Sequence, residues 1–260
     1  MTILDEIVQY KREFVKHARG KACFEEIKKR AEEIPPPLDF HAALCSPRGQ
    51  IRVIAEVKKA SPSKGVIRQD FDPVMIAQRY AQCGAAAISV LTDEKYFQGT
   101  LEHLRAVRQA VPLPLLRKEF VIDEYQIYEA REAGADAILL IVAILDDRDL
   151  SRFYKIARGL GMSALIEAHT KEEVSRALRI SPRIIGINNR NLKTMKVDIE
   201  QSIRLRPLIP EGICVVSESG IKTKEHLFHL AGHNIQAALV GEKPMQSPDP
   251  GQALLILMGK

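Results

Sequence analysis

Ile51-Arg52-Val53-Ile54-Ala55-Glu56-Val57-Lys58-Lys59-Ala60-Ser61-Pro62-Ser63-Lys64-Gly65 opens the part of the chain that decides the fold. Ile51 to Val57 is a short apolar run rich in β-branched residues and reads as a buried strand. Glu56 and Lys58 stand two residues apart at its carboxyl end, so the period of two puts both side chains on one face. Charge is costly to bury unless paired or used, so the pair marks either a salt bridge closing a strand or a site. Ser61-Pro62-Ser63-Lys64-Gly65 then adds hydroxyls, another amine and a flexible turn residue, groups that suit an anionic substrate.

Working outward, the same unit recurs: an apolar run, polar residues at its end, then a helical pattern. The further runs are Ala85 to Leu91, Leu115 to Phe120, Ala137 to Val142, Ser163 to Ala168, Ile184 to Asn188, Ile213 to Ser217 and Ala237 to Val240. Strands alternating with helices are parallel βα units, because a parallel connection needs a crossover. Eight units of roughly 25 residues each predict an α/β protein of the (β/α)8 TIM-barrel type. Cys83-Gly84-Ala85-Ala86-Ala87-Ile88 and Ala133-Gly134-Ala135-Asp136-Ala137-Ile138 are near copies, each with a glycine where a helix stops before a strand, and Ala231-Gly232 does the same before Ala237. Thr170 with Glu173 has the form of a capping box.

Residues 1–50 form a helical extension. Ile3, Leu4, Ile7, Val8 and Phe14 recur near helical spacing, and a second helix is expected from Cys23 to Ile34, stopped by Pro35-Pro36-Pro37. The extension is too short for its own core and is expected to pack on the barrel, residues 51–260. With no linker between the runs, the 260 residues are assigned to a single domain.

Composition excludes several classes. Hydrophobic residues make up 46%, ample for a core, but the apolar run Ala137 to Leu145 is far shorter than the roughly 20 residues of a membrane helix. Asp5-Glu6 stands where a secretory signal has a basic region, so a cytoplasmic location is expected. Cys23, Cys45, Cys83 and Cys214 show no disulfide or zinc spacing and read as free buried thiols. The net charge of +5 comes from 38 Lys and Arg interleaved with 33 acids, with no basic block or aromatic-rich RNA motif. No nucleic-acid or membrane partner is expected. Such a field draws in a small phosphorylated acid instead.

Barrel active sites lie at the carboxyl ends of the strands. Those ends read Glu56 and Lys58, Thr92, Lys118 and Glu119, Glu167, Asn188 and Arg190, Glu218 and Ser219, then Gly241 and Glu242. Carboxylates and amines at so many separate ends exceed what stability requires and suit acid–base chemistry. Lys118 and Glu119 are adjacent, so one faces the interior and the other the helices; Lys118 is assigned inward. Glu167 is either an interior acid or the partner of a lysine across the mouth. Asn188-Asn189-Arg190-Asn191 reads equally as a polar turn. Ser217-Glu218-Ser219-Gly220 and Val240-Gly241-Glu242 supply small residues after the seventh and eighth strands, where barrels bind phosphate. His226, His229 and His233 are at helical spacing, but no acid joins them at ligand spacing, and no metal is expected.

Ile54 to Ser63, Ala87 to Thr92 with Tyr96-Phe97-Gln98-Gly99, Leu116-Arg117-Lys118-Glu119-Phe120, Leu165-Ile166-Glu167, Ile185 to Leu192 and Ser217 to Ile221 closely resemble the indole-3-glycerol-phosphate synthase family over nearly the whole chain. The resemblance implies ring closure, decarboxylation and dehydration of 1-(2-carboxyphenylamino)-1-deoxyribulose 5-phosphate in tryptophan biosynthesis, without metal or organic cofactor. It implies Lys118 as the acid that polarises the sugar carbonyl, Glu56 and Lys58 as an ion pair near the substrate carboxylate with Lys58 an acid for dehydration, and Glu167 as the base. Asn188 and Glu218 hold hydroxyls and orient the lysines. Ser61, Arg190, Ser219, Gly220 and Gly241 take the phosphate, while Phe97, Phe120, Leu139 and Leu192 wall the aromatic ring. A monomer or weak homodimer is expected. Glu242-Lys243-Pro244-Met245 departs from the family's small residue and leucine after Gly241 and sets an acid beside the phosphate. A phosphoribosylanthranilate-type isomerase or a non-catalytic ligand-binding barrel is the alternative; the former uses one acid–base pair, fewer groups than stand here.

Overall fold

A computed structural model describes residues 2–21, 23–45, 49–192 and 194–260. Eight strands close into a parallel barrel: β1 Arg52–Val57, β2 Ala87–Leu91, β3 Leu115–Lys118, β4 Ala137–Ile141, β5 Ser163–Ala168, β6 Ile184–Asn188, β7 Cys214–Glu218 and β8 Ala237–Val240. Each pairs with its neighbours in chain order, and β1 pairs with β8 to close the ring. The chain is a (β/α)8 barrel.

Alternation along the strands sorts the core into two shells. Ile54, Ala87, Leu116, Leu139, Leu165, Val216 and Leu239 fill the barrel interior, whereas Val53, Ile88, Leu115, Ile138, Ile166, Ile185 and Val215 pack outward under the helices. Continuing the inward series one step toward the carboxyl ends reaches Glu56, Lys118, Glu167, Asn188 and Glu218, because the register sets Leu91 beside Lys118, Ile141 beside Glu167 and Asn188 beside Glu218.

Helices start where the sequence offers caps. Asp72 opens α4 (Pro73–Gln82), Thr100 opens α6 (Leu101–Ala110), Asp146 opens α8 (Asp147–Gly159) and Thr223 opens α11 (Lys224–Gly232), each side chain accepting a first-turn N–H. Asp93 does so for the four-residue α5 (Glu94–Phe97), and Asp123 for α7 (Glu124–Glu132). Thr170 accepts the Glu173 N–H at 3.2 Å to open α9 (Lys171–Leu178). Glu173 reaches back to the His169 N–H at 2.6 Å, one residue earlier than in a capping box.

Several boundaries differ from those read off the sequence. β3 ends at Lys118 rather than Phe120, since the Phe120 N–H turns onto the Glu119 side chain at 2.8 Å. β2 begins at Ala87, β4 ends at Ile141, and β7 runs from Cys214 to Glu218. The loop after β1 contains a small antiparallel hairpin, Ala60–Ser61 with Gly65–Val66, where the sequence predicts only a loop. Cys83 and Cys214 are buried, but Cys23 and Cys45 are exposed, correcting the expectation of buried thiols throughout; all four are free.

The extension holds α1 (Ile3–Lys21), α2 (Phe24–Glu33) and an unforeseen α3 (Phe40–Leu44). Val15 and Ile27 pack with Tyr125 of α7, so the first two helices lean on the outside of the barrel. Phe40 and Leu44 are fully buried against the interior residues and plug the amino-terminal end, so the barrel opens only at its other mouth among the described residues.

Candidate active site

The mouth holds a cavity of about 320 Å³. Lys118, on the end of β3, points to its floor, where Nζ lies 3.5 Å from Glu218, 3.9 Å from Glu167 and 3.9 Å from Glu56. Lys58 pairs with the other oxygen of Glu56. The Asn188 amide donates to Glu167 Oε1 at 3.1 Å. Glu167 is thus the partner of a lysine across the mouth, and Glu119, turned the other way, faces α1.

Two glycines make this packing possible. A Cβ on Gly186 would stand 2.1 Å from Glu218 Oε1, and one on Gly241 would stand 2.7 Å from Glu56 Oε1. Gly241, read from sequence as a phosphate ligand, is therefore also the space that Glu56 occupies.

The electrostatics follow from burial and proximity. Burial pushes the Lys118 ammonium down, but the carboxylates of Glu218, Glu167 and Glu56 outweigh it and hold it above the ordinary lysine range. Burial would raise Glu56, yet Lys58 and Lys118 together hold it below the usual carboxylate range. Glu218 goes the other way: burial, then the charge of Glu167, push it up to about 8 against the pull of Lys118. With Glu218 protonated, two ammoniums face two carboxylates, and the cluster is neutral. The site therefore offers cationic donors, a carboxylic acid and a free carboxylate within one cavity.

The residues expected from sequence to take an anion lie across the mouth. Ser61, Arg190, Ser219, Gly220 and Gly241 all line it. Ser219 and Gly220 have φ of +68° and +81°, and a non-glycine residue in that region marks a constrained loop. Asn189 holds it: its buried amide donates to Ser217 Oγ at 2.9 Å and to the Ser219 carbonyl at 3.0 Å, while its oxygen accepts from Ser202. Glu242 does not turn away; it lies 3.6 Å from Arg190 and 3.8 Å from Lys64. Arg68, itself buried, donates to the carbonyls of Ser247 and Pro248 and ties the loop after β1 to the segment after β8.

The remaining wall is apolar. Phe97 and Phe120 face each other with centroids 6.1 Å apart, and Leu139 and Leu192 complete that side. Of the strand-end positions read from sequence, Thr92 does not border this cavity, its buried hydroxyl donating to Glu119 at 2.9 Å; the residues that the resemblance assigned to catalysis and substrate binding all do. Sequence reasoning missed Ile3, Leu4 and Ile7, by which α1 reaches over the mouth, and the part of Asn189, which holds the Ser219 turn without lining the cavity. The α1 residues carry only a helical period, which does not say what they cover; Asn189 had its place beside Asn188 as a signal. His226 and His229 lie on α11 and His233 caps its end, none of them lining the cavity, and Glu200 of α10 (Glu200–Leu205), an acid distant in sequence, meets His229 at 2.9 Å. Among the described residues no group of three or more His, Cys, Asp or Glu is arranged to hold a metal ion.

A closed (β/α)8 barrel with lysines and glutamates gathered at its carboxyl-terminal mouth defines a barrel enzyme of acid–base type. The family model described as indole-3-glycerol phosphate synthase matches residues 4–257. The chain belongs to the indole-3-glycerol phosphate synthase family. Indole-3-glycerol phosphate synthase of Carboxydothermus hydrogenoformans is 50% identical over 261 residues, covering 98% of this chain and 99% of the relative. Those of Rippkaea orientalis and Laribacter hongkongensis are 51% and 48% identical, covering 99% and 97% of this chain and 90% and 97% of their own lengths. Among solved structures, thiamine phosphate pyrophosphorylase from Pyrococcus furiosus superposes with a TM-score of 0.59 at 15% identity, covering 82% of this chain and 95% of that one, a likeness of fold alone.

Proposed function

We propose that this chain converts 1-(2-carboxyphenylamino)-1-deoxyribulose 5-phosphate to indole-3-glycerol phosphate, carbon dioxide and water, as a carboxy-lyase of tryptophan biosynthesis. The observation that carries this is Lys118, set within 4.0 Å of three carboxylates on the floor of a cavity with an aromatic slot on one side and an arginine and a constrained serine–glycine turn on the other. Arg190, Ser61 and the N–H groups of Ser219 and Gly220 take the phosphate, and Phe97, Phe120, Leu139 and Leu192 hold the aromatic ring. The two ends of the substrate are thereby fixed, and the sugar carbonyl lies over Lys118.

In ring closure the carboxyl-bearing ring carbon attacks the carbonyl carbon, and the oxygen takes a proton from Lys118. Apolar walls and the Lys58–Glu56 pair decide the fate of the carboxylate: it leaves as carbon dioxide, and its electrons restore the aromatic ring. Lys58 then protonates the departing hydroxyl, which leaves as water, and Glu167 removes a proton from the neighbouring carbon to complete the indole. Asn188 holds Glu167 in line, and Glu218 steadies Lys118 and a sugar hydroxyl. No described helix is long and apolar enough to cross a membrane. The chain is read as one cytoplasmic domain, a monomer or weak homodimer, with neither nucleic acid nor membrane as partner.

The test is to add the substrate to purified protein in the presence of a chelator and follow the indole chromophore, against a background free of tryptophan since the chain has none. Product formation is expected; its absence, with phosphate still bound, overturns the proposal.

A further inference from the structure

Lys11 belongs to α1, yet its side chain is 0% exposed. Nζ lies 2.8 Å from Asp93, 2.9 Å from Glu119 and 4.6 Å from the centroid of the Phe14 ring. Both carboxylates are as deeply buried as the lysine. Burial pushes the ammonium down, but Glu119 and Asp93 outweigh it and keep it charged. A buried ion triad is weak evidence for stability, since desolvation cancels much of the attraction, so what else it fixes matters more.

Each carboxylate has a second task. Asp93 accepts the Tyr96 N–H at 2.7 Å and its carbonyl accepts the Gly99 N–H at 2.8 Å, which shapes the single turn of α5 that ends in Phe97. Glu119 accepts the Phe120 N–H at 2.8 Å and the Thr92 hydroxyl at 2.9 Å, which sets the turn that carries Phe120 past Lys118. One ammonium thus joins the two carboxylates, and each carboxylate holds the backbone of one ring in the Phe97–Phe120 slot.

We infer that Lys11 is a positioning residue of the aromatic slot: through Asp93 and Glu119 it fixes the separation of Phe97 and Phe120, and with it the placement of the substrate's ring over Lys118. The inference rests on the reading that this slot takes the 2-carboxyphenylamino ring. It makes the extension a working part of the site, joined to the rings by charge and not only by the apolar cover of Ile3, Leu4 and Ile7.

The test separates the two ends of the substrate. Lys11→Met alone strands two buried carboxylates and risks unfolding, so the neutral triple variant Lys11→Met with Asp93→Asn and Glu119→Gln is measured beside it; both amides keep an oxygen to accept the Tyr96 and Phe120 N–H groups. Calorimetry with anthranilate probes the ring end and with inorganic phosphate the anion end, and kcat and KM are determined for the full substrate. We expect anthranilate to bind about tenfold more weakly to the triple variant while phosphate affinity stays within about twofold, and kcat/KM to fall by up to roughly 10²-fold, as for a misplacement near 1 Å. Unchanged anthranilate affinity with unchanged kcat/KM overturns the inference, as does an equal loss at both ends, which would mean general loosening of the fold. If the unaltered protein binds phosphate but no anthranilate, the reading of the slot itself fails, and the inference with it.

Discussion

Glu218→Gln exchanges a buried carboxyl for a neutral group of nearly the same shape, and its effect should depend on pH in a defined direction. In the folded protein burial and the charge of Glu167 raise Glu218 from the ordinary 4.5 to about 8. A raised carboxyl means the folded state binds the proton more tightly than the unfolded state. Its contribution is fully present below 4.5 and is lost as pH rises through about 8. At about 1.36 kcal/mol per unit, the difference amounts to on the order of 5 kcal/mol across that window. Urea unfolding followed by circular dichroism between pH 4.5 and 9 reads it directly, and subtracting the variant's curve from the wild type's isolates Glu218 from the histidines. The two proteins should be similar at the acid end, with the variant progressively the more stable toward pH 9. Parallel curves would refute a raised Glu218, and a variant losing stability toward alkaline pH would reverse the assignment of charge in the cluster.

Lys118→Met should lower kcat by roughly 10² to 10⁴, the usual worth of a general acid, and because it leaves Glu56, Glu167 and Glu218 without their common cation, its melting temperature should fall as pH rises; wild-type turnover would remove Lys118 from the chemistry. Glu167→Gln should reduce kcat with little change in KM, and a large rise in KM at unchanged turnover would contradict its part in proton removal. Arg190→Ala should raise KM by roughly ten- to a hundredfold, as for a lost charge-assisted hydrogen bond, in steady-state assays; an unchanged KM would move the phosphate elsewhere. Gly241→Ala drives a methyl group to 2.7 Å from Glu56 Oε1 and should cut kcat/KM by up to about 10²-fold through a displaced Glu56; full activity would show that Glu56 has room to move.

The alternation of apolar runs with helical segments, punctuated by Gly84 and Gly134, determined the barrel, because strand period, crossover length and turn chemistry are local properties written along the chain; before β8 the left-handed position falls to Asn234, with φ of +57°, and Gly232, expected there from sequence, is instead the last residue of α11. The same local logic placed Glu56, Lys58, Lys118, Glu167, Asn188 and Glu218 at strand ends, and those ends share one mouth in any barrel of this kind. What the sequence did not contain was distance. That Lys118 stands among three carboxylates, that Glu218 is the one to keep its proton, and that Gly186 and Gly241 are spaces for glutamates depend on how eight strands are staggered against one another. Asn189 read as a turn residue until Ser217 and Ser219 were brought to it, and nothing in the sequence set Lys11 apart until Asp93 and Glu119 closed around it. A helix's period says which face is apolar but not what covers it, and a charge's partners lie across the fold, so both were decided only when the tertiary structure formed.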